Sequence, residues 1–234
     1  MRKLRLALTK GEELRFLSHL DFAQAAERMI LRAGIATAYS EGFNPHMKIS
    51  FSSALALGTT AAAEYMDMDV TDERTPEEIV VLLNEQAPPG MRIVGFADVT
   101  ERSVKKMMAV CNYAVYEVTG DIDAGHDASA IDWAEVLASF NQSEHIPYEK
   151  VTPKKTRMVD IKDFVKEDVT AVPTESGVTL RMAIGIYPEG TVKPGEIWSF
   201  GRKTFGWPLG DFYTVHRVAV MIEDERGRYS PLEV

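Results

Sequence analysis

The sequence predicts an α+β fold of two sandwich domains with antiparallel sheets, and three observations support this prediction. The length of 234 residues, with 45% apolar and 26% charged residues, suits two small globular domains. Over the first hundred residues the apolar pattern predicts strand, helix, strand, strand, helix, strand. The second half can be interpreted as a repeat of that order. Because βαββαβ is the order of a ferredoxin-like sandwich, we expect two such domains, residues 1–103 and 104–234.

In the first domain, alternation and helix-capping signals predict the elements. Ser18 is a natural N-cap with Asp21 three residues later, and the helix that it opens stops at Gly34. Residues 75–78 (TPEE) open a second helix with a cap, a proline at the first helical position and an acid at the third. Residues 88–90 (PPG) end it. Strands are expected at residues 2–8, 49–57, 62–70 and 91–99.

In the second domain, the same signals predict three helices and four strands. Ser129 with Asp132 is expected to cap a helix that runs through Phe140, and Pro194 is expected to open another. Residues 161–165 are expected to form a short helix. Strands are expected at residues 110–118, 146–152, 177–187 and 215–223.

The charge distribution limits the classes of ligand. With 26 Lys and Arg against 35 Asp and Glu, the net charge of −9 excludes a uniformly basic nucleic-acid-binding protein. Two segments are nevertheless basic, because residues 1–58 carry eight basic and five acidic residues and residues 145–166 carry six and three. Local positive charge on an acidic protein favours a directed anionic ligand. The alternative is that both segments are solvated surface.

The cysteine and histidine content argues against metal chemistry. Cys111 is the single cysteine, so the chain cannot itself hold an iron–sulfur cluster, which usually needs three or four thiolates. No two of the five histidines lie three or four residues apart, and HExxH is absent. We therefore expect no metal and no cofactor. We also expect a cytoplasmic protein that does not bind membranes, since no signal peptide or bilayer-spanning run is recognisable.

The first candidate site is the FLSHLD segment at residues 16–21, where a helix begins. A helix N-terminus exposes unpaired N–H groups and partial positive charge. An anion could bind there beside Ser18, His19 and Asp21, with Arg28 further along the helix. The alternative is that Ser18 and Asp21 only cap the helix and that His19 has no function.

The second candidate site is the irregular segment at residues 38–48 (AYSEGFNPHMK). It combines aromatic rings, an amide, an imidazole and a cation, the mixture that single-stranded nucleic-acid sites use. The alternatives are that Phe43 fills the core and that Asn44 and Pro45 only build a turn. If the chain is an enzyme, His46 or His19 is the candidate general acid or base, and Lys48 is the candidate oxyanion stabiliser. The expected ligand contacts of this segment are Tyr39, Ser40, Gly42, Phe43, Asn44, His46 and Lys48.

Two further features complete the predicted ligand site. Glu64 lies in an apolar strand, where a buried acid would need a cation such as Lys48 or Arg15 as its partner unless it faces solvent. Three cations lie within four residues and could contact a phosphate backbone, although a solvated linker is the alternative. These cations are Lys154, Lys155 and Arg157.

The motifs resemble those of a known family, the radical-SAM-linked proteins, a bacterial domain of unknown function. The resemblance rests on FLSHLD at residues 16–21, YSEGFNPHMKISFSSALALG at residues 39–58 and EY at residues 64–65. It extends over essentially the whole chain, with VDI at residues 159–161 in the second half. It implies a companion of a radical SAM protein, often joined to it or encoded beside it, and frequently near genes for RNA metabolism. Because this chain has one cysteine, any radical step would belong to a different polypeptide.

Three functions remain open from the sequence. The first is a non-catalytic companion of a radical SAM enzyme that binds an anionic substrate, with RNA as the expected ligand, and presents it to that partner. The second is a protein–protein adaptor without nucleic-acid binding. The third is a metal-independent RNA-processing enzyme. We rank them in this order because catalysis needs a nucleophile, a base and an orienting group together, whereas binding needs only a shaped basic surface.

Overall fold

The computed structural model describes residues 1–102, 105–151 and 156–234. It confirms the predicted α+β class, because these residues form five α-helices and a large, mostly antiparallel sheet. No helix in these ranges is both long and apolar enough to span a bilayer. The chain divides into two compact units: unit 1 is Met1–Asn112 with Ala219–Val234, and unit 2 is Tyr113–Val218. The predicted boundary at residues 103 and 104 lies outside the described residues.

Unit 1 contains the element order that the sequence predicts. Its elements in that order are β1 (Arg2–Lys10), α1 (His19–Arg32), β2 (Ile49–Phe51), β3 (Thr59–Val70), α2 (Pro76–Gln86) and β4 (Ile93–Asp98). The strands lie in the order β4-β1-β3, with β2 also paired to β3, and each of these pairs is antiparallel. The strand predicted at residues 49–57 is shorter because the chain leaves β3 after Phe51. The short helix α3 (Met107–Val110) is absent from the prediction.

Both long helices of unit 1 begin at their predicted caps. The Ser18 hydroxyl accepts the amide N–H of Asp21 at 3.2 Å. Thr75 and Glu78 form a reciprocal capping box, with N···O distances of 3.2 and 2.8 Å. After α1 the backbone of Gly34 has a φ of +61°, which suits glycine at a helix C-terminus. The buried side chains of α1 are Phe22, Ala26, Met29 and Ile30.

One face of the unit 1 sheet forms a hydrophobic core with α1 and α2. In the β1–β3 register, Leu4 lies opposite Met68 and Leu6 lies opposite Met66. These four side chains are fully buried and belong to the same cluster as the apolar residues of both helices. Strand alternation therefore places every second residue of β1 and β3 in this core.

The other face of this sheet carries a buried ion pair. Arg5 lies directly opposite Asp67, and the side chains are 1% and 9% exposed. The guanidinium donates to both carboxylate oxygens at 2.7 and 3.0 Å and to the carbonyl of Pro231 at 2.9 Å. The Tyr65 hydroxyl, on the same face, lies 3.2 Å from the Ser230 hydroxyl. The segment around residues 230–231 thus covers this face and satisfies its charge.

Unit 2 has its own strand order and its own core. Its elements are β5 (Cys111–Ile122), α4 (Trp133–Gln142), β6 (Pro147–Val151), β7 (Thr156–Asp160), β8 (Thr170–Pro173), β9 (Gly177–Gly185), α5 (Pro194–Phe205) and β10 (Leu209–Asp224). The order is β10-β5-β9-β8, while β6 and β7 form a separate hairpin. The core is rich in aromatic residues, among them Trp133, Phe140, Trp198 and Trp207. The C-terminal end of β10 lies in unit 1, where β11 (Gly227–Tyr229) pairs with it.

Strands β7 and β8 are absent from the prediction for unit 2, and two further elements differ from it for local reasons. Asp132 alone caps α4, because its carboxylate accepts the amides of Ala134 and Glu135 at 3.1 and 3.2 Å. The Ser129 hydroxyl instead donates to Asp127 at 2.7 Å. The short helix expected at residues 161–165 is a single 3-10 turn, Ile161–Asp163.

The buried pair of Arg5 and Asp67 gives a stability prediction. Arg5→Ala leaves an uncompensated buried carboxylate and should lower the free energy of unfolding by about 3–5 kcal/mol. The matched control is Lys3→Ala, since Lys3 pairs with Asp69 on the same two strands but is 41% exposed, and should cost about 0–1 kcal/mol. Urea unfolding of both variants checks this. An equal decrease in the free energy of unfolding in the two variants would contradict the prediction that the buried pair matters more than the exposed one.

Candidate functional site

Residues 39–47 form a short hairpin, which we call the 39–47 hairpin. Tyr39 and Met47 make an isolated antiparallel bridge at its base. Within it, Ser40 N–H donates to the carbonyl of His46 at 2.8 Å, and His46 N–H donates to the hydroxyl of Ser40 at 2.9 Å. Gly42 has a φ of +121°, which few L-residues adopt, and no atom lies within 4 Å of the place where a Cβ would be. Glycine is therefore required by the backbone rather than by crowding.

The hairpin presents its aromatic and polar side chains to solvent. Phe43 has a relative exposure of 106%, so it makes essentially no contact that hides it from water, and Tyr39 is 45% exposed. The side chains of Asn44, His46 and Lys48 are exposed as well. Phe43 does not fill the core, which removes one of the two structural explanations for this segment.

The base of the hairpin is fixed to β3. Ala38 N–H donates to the carbonyl of Asp69 at 2.9 Å, and Asp69 N–H donates to the carbonyl of Lys48 at 3.1 Å. Met47 is 8% exposed and packs in the unit 1 core. The hairpin is thus anchored on both sides while its tip stays in water.

A second anchor holds the chain between α1 and the hairpin. The carboxylate of Asp72 accepts the amide N–H of Ala36 at 3.0 Å and pairs with the Arg74 guanidinium at 2.7 Å. The bonds from Arg74 are the main reason that the pKa of Asp72 lies well below its usual range. Asp72 therefore stays ionised at neutral pH and keeps this connection in place.

The start of α1 carries the FLSHLD motif and lies against β2. The His19 ring meets the Phe51 ring edge to face, with 5.5 Å between centroids. The Ser18 hydroxyl also donates to the Asp21 carboxylate at 2.6 Å, so both side chains serve the cap. Phe16 and Leu20, by contrast, are 74% and 72% exposed. This segment therefore combines a capped helix start with two exposed apolar side chains.

Buried charge lies close to the same helix start. Lys10 is 1% exposed, and its ammonium donates to the carbonyl of Leu17 at 2.9 Å and to that of Arg15 at 3.3 Å. Glu64 is 3% exposed and lies opposite Leu8 in the β1–β3 register, so it shares the helix-facing side of the sheet. On the opposite face of the sheet, burial raises the pKa of Tyr65.

Lys10 is a residue that the sequence analysis missed. Lys10 follows Leu8 by two residues, which is the spacing of the core residues Leu4, Leu6 and Leu8. That spacing is the signal that could have found it, although the β1–β3 register shifts between Leu8 and Lys10. The glycine that follows, Gly11, is typical of a turn and so obscures this signal. Glu64, in turn, is buried rather than solvent-facing.

The predicted site residues separate into groups. His19 and the 39–47 hairpin lie at opposite ends of β2, because β2 follows the hairpin and its last residue, Phe51, contacts His19. Arg28 lies nine residues along α1 from His19, roughly 13 Å at the usual helical rise. Arg157 belongs to unit 2, where it donates to the carbonyl of Glu189 at 2.8 Å. Lys154 and Lys155 lie outside the described residues.

Metal-ligating side chains do not gather in the described ranges. Among these residues, no three His, Cys, Asp or Glu side chains lie close enough together to hold a metal ion. Cys111 is 3% exposed.

The fold and the hairpin define an α+β protein with an exposed aromatic tip on an anchored turn. The chain matches the model of the DUF2344 family, described as an uncharacterized protein conserved in bacteria, over residues 3–194. It therefore belongs to this family. A comparison with curated proteins finds no match. Among solved structures, the chain is similar to an unknown protein from Galdieria sulphuraria. The two share 11% sequence identity over 93% of this chain and 99% of that chain, with a TM-score of 0.26. This TM-score is too low to indicate a shared fold.

The bond between Ser40 and His46 gives a prediction about hairpin order. Ser40→Ala removes the acceptor of the His46 amide, and a hydrogen bond contributes about 0.5–1.5 kcal/mol net. Amide exchange at His46, followed by NMR, should therefore become about 2- to 10-fold faster. Ser50→Ala, an exposed serine in β2, is the control and should leave His46 unchanged. Identical exchange in wild type and Ser40→Ala would contradict the structural role of this hydroxyl.

Proposed function

We propose that the chain is a cytoplasmic, non-catalytic companion of a radical SAM enzyme that binds single-stranded RNA through the 39–47 hairpin. The observation that carries this proposal is the full exposure of Phe43 at the tip of an anchored turn. Exposing a phenyl ring to water forfeits the burial that stabilises most aromatic side chains. A fixed turn that holds such a ring in solvent is suited to a ligand that stacks on it.

The other side chains of the hairpin suit an RNA base and its phosphate. Every base has a π-face, so stacking on Phe43 and Tyr39 would be tolerant of sequence. Asn44 can donate and accept hydrogen bonds with a base edge. Lys48 adds a positive charge within reach of a phosphate. Because Ser40 and Gly42 order the turn in advance, less conformational entropy is lost on binding.

The enzymatic alternative receives less support. His46 is exposed, and its backbone N–H donates to the Ser40 hydroxyl. The ring of His19 packs against Phe51 at the N-terminus of α1. An acid–base pair needs a third group that orients it toward a reacting atom. A role in which this chain binds and another polypeptide reacts requires no such set.

The radical SAM partner and the finer fold assignment are part of the same proposal. The partner is supported by the motif resemblance and by the single cysteine, which leaves the cluster to another chain. We also infer that each unit is a ferredoxin-like sandwich. The strand orders β4-β1-β3-β2 and β10-β5-β9-β8 support this inference. When the separate β6–β7 hairpin is left out of the count, both orders place the first strand of the unit between its fourth and third.

RNA binding is tested by fluorescence anisotropy with a labelled single-stranded oligouridine. Phe43→Ala should weaken binding about 5- to 100-fold, because base–aromatic stacking is worth about 1–3 kcal/mol. Lys48→Ala should reduce the slope of log affinity against log salt by about 1.

Two matched variants control this experiment. Phe212→Ala removes a phenyl ring that is 79% exposed in unit 2, and Lys203→Ala removes an exposed lysine of α5. Both should bind oligouridine like wild type. The proposal fails if oligouridine does not bind at low salt, or if Phe43→Ala and Phe212→Ala bind equally.

A second candidate function is protein docking at the start of α1. Phe16 and Leu20 are four residues apart and exposed, and the Arg15 guanidinium lies 5.3 Å from the Phe16 ring centroid. Apolar side chains that remain exposed beside a conspicuous motif are typical of a protein interface. This surface would serve an adaptor as well as a companion that also binds RNA.

Docking is tested by co-purification with the radical SAM protein encoded in the same genome. Phe16→Ser/Leu20→Ser should abolish a complex that survives high salt, since burial of apolar surface resists screening. Leu31→Ser, which alters a 60% exposed leucine at the other end of α1, is the control. Retention of the complex in the double variant would rule out this surface.

A further inference from the structure

Unit 1 contains a cavity that is lined by none of the residues of the FLSHLD motif or the 39–47 hairpin. Its volume is about 310 Å³, at the lower end of the range of small-molecule sites. Its lining residues come from residues 1–112 and 219–234, so it lies within unit 1. A cavity of this size admits a small molecule rather than a polymer strand.

The cavity has more positive than negative groups on its walls. Its lining includes four cationic residues, Arg5, Arg102, Lys105 and Arg226, and one acidic side chain, Asp224. Two of the cations are neutralised by partners. Arg5 pairs with Asp67 at 2.7 Å, and Arg226 pairs with Asp224 at 3.1 Å.

The other two cations have no such partner among the described residues. Among the described residues, no hydrogen bond or ion pair joins the side chain of Arg102 or Lys105 to another group, and both residues are exposed. Asp98 lies within electrostatic range of Arg102, but its carboxylate already accepts the amide and hydroxyl of Thr100 at 2.9 and 2.5 Å. Two positive charges are therefore available at the cavity.

The remaining wall of the cavity is apolar. Val110, Ile222 and Val234 contribute aliphatic surface, and Tyr229 contributes a ring whose position is fixed. The Tyr229 hydroxyl donates to Asp224 at 2.7 Å, and the Arg226 guanidinium lies 4.3 Å from the ring centroid. The cavity thus joins an ordered apolar wall to a pair of available cations.

We propose that this cavity binds a small phosphate monoester with an apolar or aromatic body. A phosphate monoester carries about −1.5 to −2 charges at neutral pH, which matches the two available cations. Arg102 can bind two phosphate oxygens at once, and Lys105 supplies a second positive charge. The body of the ligand would lie against Val110 and Ile222. This site is independent of the RNA proposal, because it uses none of the hairpin residues.

Calorimetric titration of the full chain tests the proposal with three probes. Adenosine 5′-monophosphate supplies both the phosphate and the ring, adenosine only the ring, and inorganic phosphate only the charge. The monophosphate should bind saturably and at least 10-fold more tightly than either fragment. Saturable binding should also raise the unfolding temperature of the protein.

A charge-matched pair of variants completes the test. Arg102→Ala/Lys105→Ala should weaken binding of the monophosphate at least about 10-fold, because the variant loses the charge-assisted hydrogen bonds to the phosphate. Arg92→Ala/Lys203→Ala removes the same charge from exposed positions outside the cavity and should bind like wild type. No saturable binding, equal binding of inorganic phosphate, or equal loss in both double variants would overturn the proposal.

Discussion

The register between β1 and β3 is the constraint on which unit 1 depends. Arg5 and Asp67 lie directly opposite each other on these strands, and both are buried. A slip of one residue would separate this pair and turn the leucines of β1 toward the wrong face, because side chains alternate with period two. An unpaired buried charge costs far more than a lost surface contact. The ion pair therefore selects one register, although it adds little net stability over an apolar pair.

That register determines where the candidate site stands. The 39–47 hairpin is bonded to β3 at Asp69, two residues from the buried Asp67, and β2 then follows β3 as far as Met66. The position of His19 against Phe51 depends on the same pairing. An ion pair on one face of the sheet thus places the residues of the site without contacting them.

The sequence predicts those features of unit 1 that depend on near neighbours. Ser18 and Thr75 cap their helices through residues only three positions away, so both helix starts are visible in the sequence. The Pro231 carbonyl that completes the bonding of Arg5 lies 226 residues away, and no local pattern encodes it. The burial of Lys10 likewise depends on carbonyls supplied by a bend that follows β1. The exposure of Phe43 depends on which surface, if any, packs against a turn, and the turn itself does not specify that.

The residues of the hairpin divide into those that build it and those that it displays. The hydroxyl of Ser40, the positive φ of Gly42 and the buried side chain of Met47 are each accounted for by a bond, a backbone angle or a core contact. Phe43 and Asn44 have no such role, although they lie in the same short segment. In a turn with only a structural role, the exposed positions are usually polar and can be exchanged for other polar residues, because they contact only solvent. The full exposure of Phe43 is therefore the feature of the turn that a structural role leaves unexplained and that the RNA-binding proposal explains.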